Sequence, residues 1–194
     1  MIYCSVEEFL KAILEKPFEE GWDENGEPPF CKLCQEVFEI IKPFNTFLEI
    51  GLGFGDFSLY LLSQHKKVEM LDVKEDTLIS MKKICEERNY NYVFHHQDIT
   101  NPKISKIYDV VIAIEVIEHI KDYKKAIFNM MKLAKHKVIL TTPVLGSFYS
   151  LDHKHVFSES DFKFINKAYK IKRIITKKKD ISTSKRAFLI EINI

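Results

Sequence analysis

At 194 residues, 46% of them apolar, the chain is long enough to enclose one substantial core and too short for two ordinary domains. Its 29 lysines and arginines nearly cancel its 28 aspartates and glutamates, so a net charge of +1 gives no global attraction to nucleic acid or an anionic membrane. No apolar run reaches membrane-spanning length, the start shows no signal-peptide pattern, and Cys4, Cys31, Cys34 and Cys85 form no disulfide framework, so a soluble cytoplasmic protein with reduced thiols is expected.

In chain order, "VEEFLKAILEK" has helical spacing and "GWDENGEPP" reads as a connector, so residues 1–29 are expected to form a helix and a link, with Phe18 and Trp22 as a lid or as core. From residue 30 to the end, helix and strand alternate. "CKLCQEVFEIIK" is an amphipathic helix stopped by Pro43, its cysteines on the same stripe as Phe38 and Ile41. Strand "TFLEI" opens onto glycines, helix "DFSLYLLSQH" precedes strand "KVEMLDV", and helix "EDTLISMKKICEER" precedes strand "NYVFHHQD". "YDVVIAI" is a continuous apolar strand, followed by helix "KDYKKAIFNMMKLA" and strand "KVILTT". A short helix opened by Ser158 and Asp161 leads to "YKIKRIIT" and "RAFLIEINI", which can pair as an antiparallel hairpin at the sheet edge around the basic link "KKKDISTSK". Strands apolar on both faces and separated by helices imply a doubly wound, mostly parallel α/β sheet with ligands at its carboxyl ends.

"LEIGLGFGD" sets Gly51, Gly53 and Gly55 at the tip of the first such strand, where bare backbone can approach a ligand closely. A dinucleotide fingerprint needs a glycine or alanine at position 56, which here is Asp56. Glu49 and Asp56 would repel a pyrophosphate and welcome a cation, so S-adenosylmethionine, with a sulfonium and an ammonium and no phosphate, suits the loop better than a nicotinamide cofactor. Asp72 ends the second strand, where a carboxylate can accept both ribose hydroxyls. Asp98 ends the third, where it can accept the adenine amino group while the Ile99 amide faces a ring nitrogen. Any one of these acids alone reads as a loop or capping residue.

These stretches, "LEIGLGFGD", "EMLDV", "HHQDIT", "YDVVIAIEVIEHI" and "VILTTP", resemble the class I S-adenosylmethionine-dependent methyltransferases, in particular small type 11/12-like enzymes. The resemblance implies a Rossmann-like, three-layered αβα fold of seven strands with an antiparallel last strand. It also implies cofactor roles for Glu49, Gly51, Gly53, Gly55, Asp72, Val73, Asp98, Ile99 and Ile114.

"EVIEHI" follows the fourth strand at the ligand rim, and if a helix begins there, Glu115, Glu118 and His119 project from one face. His153 and His155 in "SLDHKHVF" lie on the same rim. Glu115, Glu118, His119 and His153 are similar to the metal-binding pattern of small-RNA 3′-terminal 2′-O-methyltransferases, which implies a divalent ion such as Mg²⁺ or Mn²⁺. Two other readings stay open: a proton-handling role for His153, His155 or His119, and a purely structural helix start. The functional expectation is methyl transfer to a small-molecule hydroxyl. The alternatives are a metal-dependent RNA 2′-O-methyltransferase, with "KIKRIITKKK" meeting phosphates, and a catalytically silent cofactor-binding subunit.

Overall fold

Buried apolar runs and the amphipathic helices between them dictate how the chain is layered. In the computed structural model, which describes residues 32–53, 55–144, 152–176 and 185–194, helix α1 (Lys32–Ile41) leads into strand β1 (Thr46–Ile50). Next come α2 (Asp56–Ser63), β2 (Lys67–Asp72), α3 (Glu75–Glu87), β3 (Val93–His96) and β4 (Tyr108–Ile114). A 3₁₀ turn at Ile117–His119 precedes α4 (Tyr123–Leu133) and β5 (Ala134–Pro143), and a second one at Glu159–Phe162 precedes β6 (Tyr169–Thr176) and β7 (Lys185–Asn193). The expected N-terminal helix with Phe18 and Trp22, and most of the lysine-rich link before β7, lie outside the described residues, as do Cys4 and Cys31.

The seven strands form one sheet in the order β3-β2-β1-β4-β5-β7-β6. β1 pairs in parallel with β2 and β4, β2 with β3, and β4 with β5, whereas β7 runs antiparallel to both β5 and β6. The doubly wound reading and the antiparallel last strand both hold. The expected hairpin is present, with β7 inserted beside β5 and β6 at the edge. Burial explains that choice: Ala187 to Ile190 are buried, whereas Lys170, Lys172 and Arg173 of β6 stand exposed, as suits an edge strand.

Alternate residues of the central strands feed two cores. Val110 and Ile112 of β4 pack with Ile41, Leu59, Met70 and Met81 on one face; Val111 and Ala113 pack with Leu48, Ile127, Met130 and Phe162 on the other. Strand order reverses between β1 and β4, so the carboxyl ends of these two strands open the crevice where ligands of this architecture sit. Among the described residues, no helix is long and apolar enough to cross a membrane.

Candidate active site

Three left-handed residues make the loop after β1: Gly51, Gly53 and Gly55 have φ of 71°, 56° and 76°. Packing demands two of them. A Cβ on Gly51 would lie 2.6 Å from Cγ2 of Val116, and one on Gly55 would lie 2.0 Å from Sδ of Met81. At Gly53 a Cβ would meet nothing within 4 Å, so this is the point where bare backbone faces open space.

Asp72 ties that loop to the end of β2. The Leu52 amide donates to its Oδ2 at 2.8 Å, the Lys74 amide donates to its Oδ1 at 2.8 Å, and the Gly51 amide donates to the Leu71 carbonyl at 2.8 Å. A carboxylate has about four acceptor positions, so Asp72 organises the loop and retains capacity for hydroxyl donors. Glu49 lies beneath, 2% exposed, and accepts a hydrogen bond from Ser58 of α2. Its carboxyl group is thus anchored by a serine that was not singled out from sequence.

Beyond β3, Asp98 is exposed and its Oδ1 accepts from the Thr100 amide at 2.7 Å, while Ile99 is buried and its carbonyl accepts from Nδ2 of Asn129 at 2.9 Å. Val73 is 59% exposed beside the buried Asp72, and Ile114 is half-buried at the end of β4. Parallel pairing aligns the ends of β1 to β4 at one edge of the sheet; the glycine loop, Asp72, Val73, Asp98, Ile99 and Ile114 close or follow those ends, whereas Glu49 is buried within β1.

The turn after β4 departs from the expected helix. Glu115 has φ of 55°, and its amide donates to the Thr141 carbonyl at 3.1 Å and to Thr141 Oγ1 at 3.0 Å. This left-handed residue redirects the chain, and only the single 3₁₀ turn follows before α4 begins at Tyr123. An α-helical face spanning Glu115, Glu118 and His119 therefore does not form. What forms is a group of Glu118, His119 and His153, with one potential ligand atom from each lying within 4.8 Å of the others; Glu115 stands outside it.

Glu118 is 1% exposed, and among the described residues neither of its carboxylate oxygens has a hydrogen-bond partner. Burial first, and the Glu115 charge second, push its pKa up to about 8. The nearby Thr142 hydroxyl, itself buried without a partner at hydrogen-bond geometry among the described residues, offsets only a little of that rise. His153 meets His119 edge-on with ring centres 4.8 Å apart, and burial followed by the His119 charge lowers its pKa. Two amides secure the loop that carries His153: those of Lys154 and His155 donate to the Glu118 carbonyl at 2.8 and 3.2 Å.

His155 sits apart from this group. Its Nε2 lies 3.0 Å from the Lys121 carbonyl, which can only accept, so Nε2 carries the proton; the ring packs against Tyr123 and Phe157. Any proton-handling role for His155 falls to Nδ1. Thr141, Thr142 and Asp152 also belong to this rim and were not singled out from sequence; Asp152 alone left a visible signal, as the carboxylate beside His153.

A methyltransferase-domain family model matches residues 47–137. The chain is 31% identical over 143 residues to the ubiquinone biosynthesis O-methyltransferase of Rickettsia akari, covering 68% of this chain and 57% of that one. An S-adenosylmethionine-dependent methyltransferase from Clostridium acetobutylicum superposes with a TM-score of 0.66 at 14% identity, covering 96% of this chain and 97% of that one, a likeness of fold. Over residues 47–137 the chain is thus similar to methyltransferase domains, and its fold is that of S-adenosylmethionine-dependent methyltransferases. A relative with a different kind of acceptor in its name, (S)-coclaurine N-methyltransferase of Thalictrum flavum subsp. glaucum, is 32% identical over 100 residues, 49% of this chain and 26% of that one. The chain thus spans little more than half of the Rickettsia protein and about a quarter of the Thalictrum one. Within this methyltransferase fold, the matched residues include the glycine loop, Asp72, Asp98 and the Glu118–His119 turn, whereas His153 lies beyond them.

Proposed function

We propose that the chain is an S-adenosylmethionine-dependent methyltransferase acting on a small-molecule acceptor at a hydroxyl oxygen. The observation that carries this reading is the open backbone at Gly53 beside the buried carboxylate of Asp72, with exposed Asp98 on the same rim. The acids at this loop suit a cationic nucleoside better than a phosphorylated one. Methyl transfer from a sulfonium is an in-line displacement, so the chain's main tasks are alignment and exclusion of water.

An oxygen acceptor must also lose a proton, and the group after β4 supports that chemistry. Two unpartnered, buried Glu118 oxygens together with two imidazoles within 4.8 Å fit a divalent cation such as Mg²⁺ or Mn²⁺, the imidazoles favouring Mn²⁺. Such an ion, when bound, supplies a Lewis acid that lowers the cost of deprotonating the acceptor. Glu118, His119 and His153 would hold it, while Glu115 shapes the turn through Thr141. The name of the Rickettsia relative supports oxygen; that of the Thalictrum relative supports nitrogen, which needs less help with its proton.

Calorimetric titration should give saturable binding of S-adenosylmethionine and none of NAD; the reverse result sinks the proposal. Gly53→Ala meets no atom of the protein, so it should cost only the left-handed strain of roughly 1–2 kcal/mol while strongly weakening cofactor uptake. Release of S-adenosylhomocysteine with phenolic acceptors separates an enzyme from a silent subunit. The agreement of Glu118, His119 and His153 with the RNA-methyltransferase pattern favours one second reading, RNA 2′-O-methylation, which salt-dependent association with a short RNA would support. Against it, the β6 cations Lys172 and Arg173 are already paired with Glu36 and Glu159.

A further inference from the structure

His119 and His153 reach the same group from segments more than 30 residues apart, and a histidine that ligates must present one defined nitrogen. Nδ1 of His119 lies 3.2 Å from Oδ2 of Asp152. An ionised carboxylate only accepts hydrogen bonds, so this contact draws the proton of a neutral His119 to Nδ1 and leaves the lone pair on Nε2. Asp152 directly precedes His153, so one short segment delivers both an imidazole and the carboxylate that orients the other imidazole. Backbone bonds from Lys154 and His155 to the Glu118 carbonyl hold that segment against the 3₁₀ turn. The Asp152 side chain is 68% exposed, so apolar packing does not account for its place here.

We propose that Asp152 is a positioning residue for divalent-cation binding: by accepting the Nδ1 proton of His119 it fixes the tautomer in which Nε2 is the ligand atom. The proposal rests on the reading of Glu118, His119 and His153 as a cation site. A hydrogen bond from a ligating imidazole to a carboxylate also raises ligand basicity, and loss of such a bond typically weakens metal affinity about 10–100-fold.

The test uses the full chain, Mn²⁺ alone as probe, and ¹⁵N spectra of the imidazoles in chelator-treated protein at a pH where they are neutral. The wild type should bind Mn²⁺ with His119 in the Nδ1–H form. Asp152→Ala should bind about 10–100-fold more weakly and lose that tautomer preference, and Asp152→Glu should recover most of both. Equal Mn²⁺ affinity and an unchanged His119 spectrum in Asp152→Ala overturn the positioning role and leave the cation site standing. A wild type that takes up no Mn²⁺ overturns the cation site itself, and the positioning role with it.

Discussion

Glu69 and Glu118 are two largely buried glutamates toward opposite ends of the same sheet, and the fold treats them in opposite ways. Glu69, on β2, accepts from His95 Nε2 at 2.7 Å, from the Tyr108 hydroxyl at 2.6 Å and from the Lys106 ammonium. Burial raises its pKa, but the hydrogen bonds from Lys106, Tyr108 and His95 outweigh burial and bring the carboxyl below its usual value. Glu118, after β4, has no such donors among the described residues, and its pKa rises to about 8. A carboxylate whose task is architectural is saturated by its surroundings. One left bare in the interior is costly unless something outside the chain completes it.

The comparison is broken most readily at Glu118. Its native pKa lies well above its ordinary 4.5, so below that value both folded and unfolded chains are protonated and no penalty exists. As pH rises from 4.5 to about 8 the unfolded chain gives up its proton while the native one keeps it, and metal-free stability falls across that window. The full shift corresponds to a loss on the order of 5 kcal/mol. Glu118→Met should remove this slope, so that the chelator-treated variant is more stable than wild type above the window and equal to it below. Urea unfolding at a series of pH values measures this directly, and an identical slope in the variant would show that Glu118 is not buried without a partner. The same substitution should abolish Mn²⁺ uptake, so stability and function move in opposite directions.

Glu69 should give the opposite sign at somewhat smaller size. Glu69→Ala strands a tyrosine hydroxyl and a histidine nitrogen in a partly buried place, at a cost of about 2–3 kcal/mol near neutral pH. Because the native carboxyl has a lowered pKa, its contribution is complete above 4.5 and fades as pH falls through the lower native value. The deficit of the variant against wild type should therefore shrink in acid, whereas the advantage of Glu118→Met grows in base.

How much of this was legible in the sequence follows from the range of the interactions. Strands such as "VVIAI" and "YKIKRIIT" announce themselves because burial on both faces, or on one, leaves its period in consecutive residues. The glycine loop was legible because its chemistry is local. The turn at Glu115 was not: its amide goes to Thr141, 26 residues on, and that tertiary bond competes with the helix that the spacing of "EVIEH" suggests. For the same reason the capture of His155 by the Lys121 carbonyl, 34 residues earlier, left no trace in the pattern around it. The clustering of Glu118, His119 and His153 was legible as residue types, but their convergence depends on how the loop after β5 folds back, which no periodicity encodes.

The smallest expected effect tests which donors matter to Glu69. The Lys106 side chain is 54% exposed, and an ammonium in that setting gives up hydration and rotamer freedom to form its pair while salt screens what remains. Lys106→Met should therefore cost about 0–1 kcal/mol, less still at high salt. His95 and Tyr108, reaching Glu69 from β3 and β4, would continue to satisfy the carboxylate. Urea unfolding of Lys106→Met beside Glu69→Ala decides the matter. If the two variants lose equal stability, Glu69 is held by one surface ion pair and its contrast with Glu118 narrows to a difference in exposure. If Lys106→Met is nearly silent, saturation by His95 and Tyr108 is what separates Glu69 from the unpartnered Glu118.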